Sequence, residues 1–201
     1  MGGERSENGA FEIVELFAKD GSGASREPAR PAAQSEALPA RAVDHRRQHQ
    51  VEQFLYGQSE LLDTRSWGAY IDLFADDGLY WMPVSADQQD WLDTPSICLE
   101  DKSLMGVRMD RMLHPNAWSL SGLWETSHIV GNVVIDADDG NEIKVRSRFH
   151  MFEQRRDASR HFAGRYQHVL IERDGRLRIQ MQRVDLVNSR APFDYVIQAW
   201  I

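Results

Sequence analysis

The sequence predicts an α+β domain, with helices first and an antiparallel sheet after them. Three observations carry this. Between Val51 and Phe74 apolar residues recur at the helical spacing of three and four. Ile143, Val145, Ser147, Phe149 and Met151 then alternate with Lys144, Arg146, Arg148, His150 and Phe152, the period of a strand with one buried face. The two turn signals in the second half, Asp138-Asp139-Gly140-Asn141 and Arg173-Asp174-Gly175, each join segments of strand character. Helices in a block followed by strands in a block place the helices on one face of a curved sheet.

The elements follow in order. Asp44 is an N-cap candidate, and Val51, Phe54, Leu55, Gln58, Leu61 and Leu62 form one stripe of a helix ending near Asp63-Thr64. A second helix is expected over Trp67, Tyr70, Ile71 and Phe74, capped by Ser66 and ended by an Asp76-Asp77-Gly78 turn. Gly78–Val84 is β-rich and stops at Pro83, as an edge strand would. Residues 85–96 are polar and read as a loop, and Met105, Met109 and Met112 place a third helix over 100–113. Strands are expected over 129–135, 143–152, 161–172 and from Leu177 onward. In the last, the apolar phase shifts from Leu177, Ile179 and Met181 to Val184 and Leu186, predicting a bulge near Gln182-Arg183.

The first 43 residues are of another kind. Gly21–Ala42 holds three prolines and no aromatic residue, and cannot bury enough apolar surface to offset its ordering entropy. Residues 1–43 are therefore expected to be a flexible or extended arm, and residues 44–201 one domain. Phe11–Phe17 within the arm is a short amphipathic piece.

Composition narrows the function. Acids outnumber bases 31 to 23, so no basic excess exists to hold a nucleic-acid backbone. The single cysteine, Cys98, excludes a disulfide within this sequence. It also excludes any Cys₄ zinc site, ferredoxin-type cluster or Rieske centre carried by these residues alone. One cysteine in the apolar Ser96–Leu99 setting, no long apolar run and no signal-like start give the expectation of a cytoplasmic protein without membrane contact. Gly21-Ser22-Gly23 precedes no lysine, so it is not a phosphate loop. His45 and His49 lie one helical turn apart beside Asp44. Arg46 and Arg47 crowd them with positive charge, and a solvated helix start is the reading, not a metal site.

An ordered string of short motifs resembles one family. Phe54-Leu55-Tyr56, Leu61-Leu62-Asp63, Trp67, Ile71-Asp72-Leu73-Phe74, Asp77 and Tyr80-Trp81-Met82-Pro83 resemble the opening of the small (β) subunit of Rieske-type aromatic-ring-hydroxylating dioxygenases. Arg108-Met109-Asp110-Arg111-Met112-Leu113 is similar to its Arg-x-x-Arg-Leu helix end, and Ser127–Val133 to its Arg-His-Leu-Val-Ser-Asn-Val strand. Phe162-Ala163-Gly164-Arg165 and Ile179-x-x-Gln182-Arg183-Val184-x-Leu186 match its last two strands. The resemblance covers residues 48–201. It departs at Gly122–Ser127, where the family often has Pro-Pro-Ser-Arg-Thr-Arg and this chain lacks both arginines.

The resemblance implies the cone-shaped fold shared by nuclear transport factor 2 and ketosteroid isomerase. It implies a structural subunit in an α3β3 hexamer, with a trimer of small subunits. The large (α) subunit would hold the Rieske [2Fe–2S] cluster, the mononuclear iron and the substrate pocket, so no cofactor is expected in this chain. It leaves two rivals open: a stand-alone isomerase or dehydratase on the same cone, with His128 as general base beside Asp63, Asp77 or Tyr80, and a plain ligand-binding cone. Candidate contact residues are Arg146, Arg148 and Arg165, from an arginine-rich meander, and Trp81 and Trp124, as aromatic anchors. Trp91 and Trp118 share the same aromatic excess.

Overall fold

The computed structural model describes residues 44–92, 94–117, 124–193 and 196–201. The expected arm (1–43) and Trp118 lie outside them. The elements are α1 (His45–Asp63), α2 (Trp67–Ile71), β1 (Phe74–Pro83), β2 (Ser96–Asp101), α3 (Lys102–Leu113), β3 (Trp124–Asp138), β4 (Glu142–Arg155), β5 (Ala158–Arg173) and β6 (Arg176–Leu186). The strands form one sheet in the order β2-β1-β6-β5-β4-β3. Neighbours run antiparallel except β1 and β6, which are parallel, so the sheet is mixed.

Local chemistry explains most boundaries. Asp44 caps α1, its carboxylate accepting from the backbone N–H groups of Arg46 and Arg47. The α1 stripe buries Val51, Leu55, Gln58 and Leu62. Asp101 caps α3 by accepting from Leu104 N at 2.8 Å, so this helix starts two residues later than the methionine spacing suggests. Met105 and Met112 are its buried positions. On β4, Ile143, Val145, Ser147, Phe149, Met151 and Glu153 face inward while the residues between them face out. Gly164 on β5 leaves room for a ring: a Cβ there would stand 2.2 Å from Asp185 O and 2.7 Å from Phe149 Cε1. Phe149 lies flat on Tyr166 beside it, with centroids 4.2 Å apart.

Four further features differ from the sequence expectation. α2 ends at Ile71, and Phe74 opens β1. Asp76-Asp77-Gly78 is not a turn between elements but a distortion inside β1. Phe74 pairs with Ile179 and Leu79 with Met181, so β1 spends more residues than β6 over the same interval. Gly78 sits at the pinch, where a Cβ would come 2.6 Å from Ile179 O. Second, Ser96–Asp101 is a strand on the edge of the sheet and not the end of a loop. Third, the bulge in β6 falls at Gln180: Val169 pairs with Met181 and Leu170 with Ile179. Gln182 and Arg183 are in regular pairing. Fourth, β3 begins five residues earlier than expected.

Candidate functional site

The end of α1 brings Asp63 to β3. Its Oδ2 accepts from His128 N at 2.8 Å, and its Oδ1 from His128 Nδ1 at 2.6 Å and from Thr126 Oγ1 at 2.9 Å. The His128 side chain is 1% exposed. The carboxylate holds the ring by one nitrogen, so Nδ1 carries the proton that it donates to Asp63. The ring Nε2 is buried and has no hydrogen-bond partner among the described residues. Burial pushes the Asp63 carboxyl up, but the bonds from the His128 side chain and backbone more than offset this and hold it below the usual carboxylate range. Such a pair has the form of an oriented general base. A void lined by Thr126, which bonds Asp63, and by Trp124, Arg65 and Trp200 among others has about 10 Å3, room for one water.

Tyr80, the third member of the rival catalytic set, belongs elsewhere. Its hydroxyl lies 3.3 Å from both the N and the O of Ile201, and burial pushes its phenol well above the ordinary value. Gln182 joins the same cluster. Its Oε1 accepts from Gln58 Nε2 at 2.9 Å and from Tyr70 OH at 3.0 Å, and its Nε2 donates to Ile201 O at 3.3 Å. Beside it, Glu100 accepts from Arg108 Nε at 2.7 Å and from Trp200 Nε1 at 3.0 Å. Trp200 and Ile201 are fully buried and thereby occupy the ground that Tyr70, Tyr80 and Gln182 face. Asp77 stands exposed on β1, its carbonyl accepting from Gln180. The structure thus joins His128 to Asp63 and leaves Tyr80 and Asp77 in other places.

A cavity of about 270 Å3 opens between β1, β2 and α3, lined by Tyr80, Met82, Cys98, Arg108, Phe193 and Ile197 among others. Arg108 donates to Glu100 and, at 2.9 Å, to Cys98 Sγ, so its charge is already spent. Burial pushes the Cys98 thiol up to about 12, against the pull of Arg108, and the thiol is unreactive at neutral pH. The described residues contain no group of three or more His, Cys, Asp or Glu side chains able to hold a metal ion.

The candidate contact residues divide. Arg146 is exposed and paired with Asp136 at 2.9 Å. Arg165 is paired with Asp185 at 3.2 Å, and Arg148 is exposed directly opposite it. The two tryptophans, candidate anchors, are buried within the chain. Trp81 is buried between Arg183, 4.5 Å above its ring, and Trp91, and donates to Ser96 Oγ. Trp124 packs on Trp67 and donates to Glu153 at 2.8 Å. Each indole has found its hydrogen-bond partner inside the fold.

Sequence reasoning missed the roles of Gln58, Glu100, Arg108, Trp200 and Arg183. Gln58 left a signal, a polar residue inside an apolar stripe. Arg183 also left one, in the matched last-strand motif. Arg183 donates to Asp185, Gln88 O and Ala86 O, and so ties the 84–92 segment to the sheet. Trp200 left none, because nothing in a terminal Ala-Trp-Ile says where it packs.

A model of the ring-hydroxylating beta subunit matches residues 58–192. The chain belongs to that family. Its relatives include the anthranilate 1,2-dioxygenase small subunit of Acinetobacter baylyi, 30% identical over 145 residues, which cover 70% of this chain and 89% of that one. Among solved structures, the beta subunit of the benzoate 1,2-dioxygenase of Burkholderia mallei superposes with a TM-score of 0.58. The two are 25% identical, over 73% of this chain and 95% of that one. Naphthalene 1,2-dioxygenase with indole bound superposes at 0.66 with 17% identity, over 81% and 89% of the two chains, and shows the likeness of fold alone. The fold is the expected α+β one of the nuclear transport factor 2 type. No helix among the described residues is long and apolar enough to cross a membrane.

Proposed function

We propose that this beta subunit is the non-catalytic, assembly-forming component of a Rieske non-haem iron dioxygenase that hydroxylates aromatic rings during their catabolism in the cytoplasm. It binds a large subunit that carries the [2Fe–2S] cluster and the mononuclear iron, in an α3β3 hexamer, and residues 1–43 serve as an arm outside its single domain. Its work is to hold large subunits at fixed spacing, because electrons pass between centres only over short distances. The observation that carries the non-catalytic part is the scattering of the candidate groups. Tyr80 turns to Ile201, away from the Asp63–His128 pair, and neither Asp63 nor His128 lines the cavity of about 270 Å3 that Tyr80 lines.

The test is co-expression with the neighbouring large chain. The two should purify at equal stoichiometry, and His128→Ala should leave ring hydroxylation within about twofold of the wild type, because the proposed role gives the imidazole no part in the chemistry. The rival reading, an isomerase or dehydratase, rests on the 2.6 Å Asp63–His128 contact with its unpartnered Nε2. Turnover by the chain alone, lost in a folded His128→Ala variant, would establish the rival in its place.

A further inference from the structure

β1 and β2 pair so that Met82 stands opposite Cys98 and Tyr80 opposite Glu100. Over Tyr80, Met82 and Cys98, Arg108 of α3 and the later residues Phe193 and Ile197 wall the cavity of about 270 Å3. The polar groups at its edge are already matched inside the chain. Tyr80 OH lies 3.3 Å from the N and the O of Ile201. The Arg108 guanidinium donates to Glu100, to Cys98 Sγ and to Gln198 O. None of the buried side-chain atoms that lack a hydrogen-bond partner among the described residues belongs to a residue lining this cavity. A carboxylate entering it would lose its water and find Glu100 already seated on Arg108, so its burial would go uncompensated. An uncharged guest meets no such cost, and the apolar surface it hides from water favours binding. An apolar cavity of about 150 Å3 takes a benzene ring. The larger volume here admits a ring with a short alkyl chain or a second fused ring. The lining favours a ring over a saturated chain, because Met82 and Cys98 offer sulfur and Tyr80 and Phe193 offer aromatic surface.

We propose that this cavity is a binding site for an uncharged aromatic compound of one or two rings, held by packing and released unchanged. The described lining residues are not set up for chemistry on such a guest. The Cys98 thiol stays protonated at neutral pH, the Tyr80 hydroxyl is engaged with Ile201, and neither Asp63 nor His128 lines the cavity. The site is separate from the assembly role proposed above and does not rest on it. Phe193 and Ile197 form one wall and Ile201 is bonded to Tyr80, so a bound ring also fastens the last residues to the edge of the sheet.

Titration of the full chain with ethylbenzene, without the large subunit, tests this, read by NMR on isotope-labelled methionine methyl groups. The Met82 methyl should shift and saturate, while that of Met151, in the core on β4, should not. Phenylacetate, similar in shape but charged, should bind about tenfold more weakly or worse. Ethylcyclohexane, which lacks the ring's π system, should bind about threefold more weakly. Ile97→Trp, which fills the cavity from β2, should weaken ethylbenzene binding about tenfold or more with the thermal midpoint kept. If that variant fails to fold, the Met82 shift in the wild type still locates the guest. The proposal is overturned by the lack of a saturable shift, or by a shift at Met151 in place of Met82. It is equally overturned if phenylacetate or ethylcyclohexane binds as tightly as ethylbenzene, or if a folded Ile97→Trp chain binds like the wild type.

Discussion

Two buried histidines in the same sheet meet opposite circumstances. His128 on β3 has a carboxylate on its Nδ1, and its backbone N–H and the neighbouring Thr126 hydroxyl bond to the same group. His168 on β5 is 1% exposed, and neither of its nitrogens has a partner among the described residues, nor does the nearby Ser147 hydroxyl. Burial alone pushes His168 down to about 3, so it folds as the neutral ring. The comparison separates two ways of keeping a polar group inside. One makes it a structural clamp between α1 and β3. The other tolerates it at the cost of desolvation and so links stability to pH.

The largest expected effect is on the clamp. Asp63→Ala strands the Nδ1 and backbone N–H of His128 and the Thr126 hydroxyl, and should cost about 3 kcal/mol in urea unfolding. A loss under about 1 kcal/mol would mean the three donors find water instead.

Next comes the acid dependence from His168. The unfolded chain takes up this proton near the ordinary histidine value of 6.5, and the folded one only near 3. Between those values the unfolded state binds more protons, so this contribution is complete above 6.5 and is lost as pH falls, by about 1.4 kcal/mol per unit. Urea midpoints of the wild type should drop from pH 7 to pH 5, and in His168→Leu that drop should shrink by roughly 2 kcal/mol.

At pH 7.5 the same His168→Leu exchange should change stability by less than about 1 kcal/mol, because it removes two unpartnered nitrogens together with some packing. A large loss there would show that water bonds both nitrogens. The smallest effect is the acid limb of Asp63. Its carboxyl is held below 3.8, so its contribution is present above that value and lost only as pH falls through its lower folded value. Asp63→Asn should flatten the unfolding curve below pH 4 and leave the His168 limb untouched.

The regular half of the molecule was readable because each residue there answers to a local rule. Alternation over Ile143–Phe152 marks β4, Asp44 marks the start of α1, and the Asp-Gly turns mark the β3–β4 and β5–β6 hairpins. The region around β1 and β2 was not. Phe74 continues a helical spacing yet opens a strand, because the parallel pairing with β6 claims it. Ser96–Asp101 has no clear alternation, and only its pairing with β1 makes it a strand. His128 and Asp63 stood out as residue types able to do acid–base chemistry. That they meet, while Tyr80 turns to Ile201, depends on contacts some sixty to a hundred and twenty residues apart in the chain.

By itself the sequence determined the class of the domain, its helix starts, the long strands and the family, because capping, periodicity and turn chemistry act over a few residues. The tertiary structure decided what the polar residues are for. It buried Trp81 and Trp124 against partners inside the fold and set Trp200 and Ile201 against Tyr70, Tyr80 and Gln182. It matched Arg146 and Arg165 with carboxylates and left Arg148 without one. A side chain's chemistry is written in its own identity. Whether that chemistry is satisfied within the chain or left for a partner depends on which distant residues the fold sets beside it.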